Sequence, residues 1–74
     1  MSPAVAGSVR DALSAATDAL AAAGCESPRL DAELLLAEAT GRDRAALAGR
    51  PEAEVESAAG RSFGAMVRLS LIHI

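Results

Sequence analysis

The stretch Glu26–Arg44, ESPRLDAELLLAEATGRDR, limits what this chain can fold into, because it holds a helix start, a helix stop and two apolar faces. Ser27 stands at a capping position, Pro28 suits a first helical turn, and Gly41 can take the left-handed conformation that ends a helix. On a helical wheel Leu30, Leu34 and Ala37 form one apolar face, and Ala32, Leu35, Leu36 and Ala39 form the other. Two polar strips separate them, Asp31 with Glu38 on one side and Arg29, Glu33 and Thr40 on the other. A helix that is apolar on two sides wants neighbours on two sides. The spacing therefore predicts the central post of a small helical bundle.

The flanking sequence supplies its neighbours. Residues 1–7 are small and weakly patterned and read as a flexible leader. Ser8 and Asp11 have the spacing of a capping box, and a first helix is expected from Val9 to Ala23. Val9, Leu13, Ala16 and Leu20 give it a single buried face, and Gly24 ends it. After the central helix, Asp43 is placed to cap a short third helix, Arg44–Ala48, before Gly49 and Pro51 break the chain. Pro51, Glu52 and Glu54 suit the first turn of a fourth helix, with Val55, Ala59, Ser62, Phe63 and Met66 on its inner face. Gly60 and Gly64 each weaken that helix by about 1 kcal/mol relative to alanine. No segment alternates apolar and polar residues at period two. The expected class is all-α, a small bundle of about four helices, three longer and one short.

With 74 residues the chain holds one domain at most, and a domain of this size buries only about 60% of the surface that its unfolded chain exposes. Seven arginines against ten carboxylates leave a net charge of −3, the wrong sign for a nucleic-acid footprint. A single cysteine forms no internal disulfide, and no apolar run approaches the roughly 18 residues of a membrane span. A monomeric cytoplasmic protein that binds neither membrane nor nucleic acid is expected.

Groups able to carry chemistry are few. His73 is the single histidine and lies next to the C-terminus. Cys25 precedes a helix, where the dipole favours a thiolate, but without a histidine partner it reads better as a small apolar plug. Asp31 and Glu38 lie two turns apart on one face, an arrangement that metal sites use only with further ligands from other helices. The glycine pair Gly60 and Gly64 follows no strand and so makes no phosphate loop. No catalytic, cofactor-binding or metal-ligating residue is assigned. The one concentration of positive charge is Arg42, Arg44 and Arg50, beside the end of the central helix. It is the candidate docking surface for a phosphate backbone or an acidic partner, and its plainer role is solvation with pairing to the last carbonyls of that helix.

The last six residues, LSLIHI from Leu69 to Ile74, contain both isoleucines and differ in character from everything before them. They match one reading frame of a common transposase sequencing adapter. Residues 69–74 are therefore expected to be a non-native tail with a loose conformation.

The run Gly24–Leu36 followed by Thr40, Gly41 and Arg42 resembles the N-terminal domain of the PrmC/HemK family. That family's pattern is a helix ending in an Ala/Gly-rich turn, then SPR-x-DAE with apolar residues and leucines, then TGR or a similar stop. Here Ser27, Pro28, Arg29, Asp31, Ala32 and Glu33 occupy the motif in order, within a matched region of about residues 8–68. Cys25 departs mildly, at a place more often Ile or Val, and Gly60 and Gly64 depart within the fourth helix. The resemblance implies a helical substrate-docking domain ahead of an S-adenosylmethionine-dependent domain that methylates the glutamine of the Gly-Gly-Gln loop of peptide chain release factors. The cofactor loop and the Asn-Pro-Pro-Tyr signature of that second domain do not occur in this sequence. The expectation is a truncated, inactive front domain, with no cofactor of its own and a release factor as partner.

Two other classes compete. A helix-turn-helix DNA-binding module would use Leu30–Gly49, an apolar helix, a glycine turn and a second short helix. Its recognition helix, Arg44–Ala48, offers one arginine and three alanines to the bases. A free-standing helical protein-interaction domain would bind through the surface Arg42–Arg50.

Overall fold

Four helices and a two-stranded sheet make up the computed structural model, which describes residues 5–73. In chain order they are β1 (Val5–Ser8), α1 (Val9–Ala22), α2 (Pro28–Thr40), α3 (Arg44–Ala48), β2 (Glu54–Glu56) and α4 (Ser57–His73). The fold is the expected small helical bundle with a minor sheet added.

Local signals account for most helix ends. Ser8 caps α1 by accepting the Asp11 amide at 3.1 Å, and Asp43 caps α3 by accepting the Ala46 amide at 2.8 Å. Gly41 closes α2 at φ 74°, its amide donating to the Ala37 carbonyl at 2.9 Å. There the left-handed backbone favours glycine. Ser27 departs from expectation: it stands at the cap of α2, yet its side chain makes no capping bond. Its carbonyl accepts the Asp31 amide at 2.9 Å, so Pro28, which has no amide to satisfy, carries much of the start signal.

The core is a single apolar cluster of Val9, Leu13, Ala16, Leu20, Ala32, Leu36, Leu47, Val55 and Phe63. All four predicted inner residues of α1 are in it. Leu20 and Leu36 are fully enclosed where α1 meets α2. α2 has the expected neighbours, packing against both α1 and α4, and Ala37 of its first apolar face lies against the core. Burial on that face is incomplete, however: Leu30 and Leu34 remain 40% and 50% exposed.

The segment after α3 differs most from expectation. Pro51 occupies the second position of a turn closed by the Ala53 amide on the Arg50 carbonyl at 3.0 Å. Glu54–Glu56 then runs as β2, with Val55 buried and both glutamates exposed, and α4 begins only at Ser57. β2 pairs antiparallel with β1, Val5 opposite Glu56 and Ser8 opposite Glu54, with one extra residue on β1. Gly7, at φ 112°, absorbs that bulge. The leader expected over residues 1–7 thus becomes strand at Val5, and residues 1–4 lie outside the described residues. The inner face of α4 is Phe63 with Ala59, Val67 and Leu71, while Ser62 is exposed and Met66 half-buried.

The C-terminal segment is helical rather than loose. α4 runs unbroken through Leu69–His73, and Leu71 packs against the core while Leu69 and Ile72 face solvent. Ile74 lies outside the described residues.

These burials set the expected mutational contrast. Leu36→Ala lowers unfolding free energy by about 2–5 kcal/mol, whereas Leu34→Ala, on the open face, lowers it by less than about 1 kcal/mol. Urea titrations of the two variants check the difference. Equal losses would show that the Leu30–Leu34 face is covered.

Candidate functional site

The motif residues of α2 form a local electrostatic clamp. Arg29 Nε donates to Glu33 Oε2 at 3.0 Å, the pairing that their spacing on a helix allows. Arg44, at the start of α3, donates to the other carboxylate oxygen of Glu33 through Nη2 at 3.0 Å and Nε at 3.2 Å. Each oxygen of Glu33 thereby holds one guanidinium, and α3 is tied back onto α2 across the link Gly41–Asp43. Hydrogen bonds from Arg29 and then from Arg44 hold the Glu33 carboxyl below the usual carboxylate range, against a smaller opposing effect of burial. At the same corner the Thr40 hydroxyl donates to the Leu36 carbonyl at 2.8 Å and accepts the Arg42 amide at 3.3 Å.

The arginine cluster is consequently divided. Arg44 is committed to Glu33, while Arg42 and Arg50 have exposed side chains with no ion pair among the described residues. Arg42 borders a small hollow of about 130 Å³ shared with Thr40, Leu47, Glu54, Val55 and Glu56. Among the described residues no guanidinium bonds to the last carbonyls of α2. The Gly41 amide and the Thr40 hydroxyl reach those carbonyls instead.

Cys25 is half-buried and packs against the core, as a plug would, but its thiol also donates to Asp31 Oδ2 at 2.7 Å. That bond raises the thiol pKa, and a weaker backbone bond from Ser27 opposes it. The sulfur is therefore held as a thiol, a poor nucleophile. Asp31 is occupied by this bond, while Glu38 is exposed further along the same strip. Among the described residues no three His, Cys, Asp or Glu side chains come close enough to hold a metal ion. His73, exposed, contacts the Leu69 carbonyl at 2.8 Å within its own helix.

One feature has no counterpart in the sequence reading. Between α1 and α4 runs a groove of about 350 Å³, bordered by Ala12, Ala15, Ala16 and Ala19 on one side and by Gly60, Phe63, Gly64 and Val67 on the other. Val55 also lines it, and Arg68 is its one charged residue. The run of alanines and the two glycines were the visible signal. Their placement opposite one another depends on how α4 crosses α1.

The match to known families decides the assignment. The model of the PrmC N-terminal domain matches residues 11–70, from the first turn of α1 into the last turns of α4. The chain belongs to the PrmC N-terminal domain family. No curated relative and no solved structure matches it. Within the PrmC-like motif SPRLDAE, Pro28 starts α2 and Arg29 and Glu33 pair with each other, Glu33 also with Arg44 beyond it. Among the described residues no helix is long and apolar enough to cross a membrane.

The sign of the Glu33 shift fixes a pH dependence. A carboxyl whose folded pKa is depressed adds stability above its unfolded value, about 4.3, and loses it as pH falls through the folded value. Glu33→Gln is therefore expected to cost about 0.5–1 kcal/mol at neutral pH. The gap to wild type closes in acid. Thermal melts in steps from neutral pH down to about pH 2 check this, and a constant gap would contradict it.

Proposed function

We propose that the chain is the substrate-docking domain of an S-adenosylmethionine-dependent methyltransferase acting on the glutamine of the Gly-Gly-Gln loop of peptide chain release factors. The supporting observation is the family match across residues 11–70, together with a motif whose charged groups pair with one another at the surface rather than being assembled for catalysis. In this reading the domain binds and orients the release factor in the cytoplasm. Cofactor binding and methyl transfer belong to a separate domain of the parent enzyme. Arg42 and Arg50, charged and without ion pairs among the described residues, are the docking groups offered to an acidic surface. Arg44 supports them from behind, through Glu33.

The geometry disfavours the helix-turn-helix alternative. In α3 the Arg44 side chain is held by Glu33 and Leu47 is buried, which leaves three alanines to face a major groove. Such a surface offers no hydrogen-bonding groups to base edges. A free-standing interaction domain shares the same Arg42–Arg50 surface but lacks the family assignment.

Calorimetric titration of this chain with a purified release factor is expected to give saturable one-to-one binding. The double charge reversal of Arg42 and Arg50 to Glu weakens it by about tenfold with an unchanged melting temperature. The chain alone transfers no labelled methyl group from S-adenosylmethionine, and duplex DNA gives no gel shift at low salt. Absence of release-factor binding, or DNA binding that weakens steeply with salt, would overturn the proposal.

A further inference from the structure

We draw no further inference here: the strongest candidate, the apolar surface where Leu30 and Leu34 of α2 and Leu69 and Ile72 of α4 stand exposed, carries nothing because nothing among the described residues shows what covers it.

Discussion

Two hydrogen bonds at the start of α1 hold the two ends of this fold in place. The amides of Val9 and Arg10, which a helix leaves without internal acceptors, donate to the carbonyls of Ala53 and Pro51, both at 2.9 Å. Arg10 adds an exposed ion pair to Glu52 at 2.6 Å. With Ser8 accepting the Asp11 amide, the first three amides of α1 are all satisfied. A buried amide left unpaired costs about 1–3 kcal/mol, so the turn Arg50–Ala53 is bound to α1 rather than merely near it. Once that turn is docked, β2 lies beside β1 and Val55 enters the core. α4 is then launched from Ser57 across α1 and α2. The sheet follows from the way α1 begins.

This explains which parts of the structure were legible in the sequence. The buried face of α1, the limits of α2 and α3, and the caps Ser8, Gly41 and Asp43 all depend on neighbours within one or two turns, and local periodicity reports such neighbours. β2 and the late start of α4 depend on residues more than forty positions away. Pro51 with two glutamates carries a sound local signal for a helix start, but the docking of its carbonyl onto Arg10 overrides that signal. Glu33 shows the same division within one side chain. Its bond to Arg29 was readable at helical spacing, while its bond to Arg44 required the turn at Gly41 to bring α3 back. The candidate site was less legible still. The arginine cluster was visible as charge, but its division into a tied Arg44 and two neighbours without an ion pair among the described residues comes from tertiary structure alone.

The first apolar face of α2 is covered only in part: Ala37 packs against the core, and Leu30 and Leu34 do not follow it. A chain of 74 residues has too little mass to enclose a helix on all sides, because surface shrinks more slowly than volume as a domain gets smaller. The fold covers Ala32 and Leu36 completely and leaves Leu30 and Leu34 in contact with water. An apolar pattern records what a helix can bury, and the number of available neighbours decides what it does bury.

The same shortage of mass separates the fold's needs from what is left over. The core engages Leu20, Leu36, Val55 and Phe63, and the clamp engages Arg29, Glu33 and Arg44. Substitution at these positions acts first on stability, since each is enclosed or paired. Arg42, Arg50 and Arg68 are exposed and make no ion pair among the described residues. The SPRLDAE motif that marks the family belongs to the first group. The proposed docking surface lies in the second, where stability gives no account of the residue present.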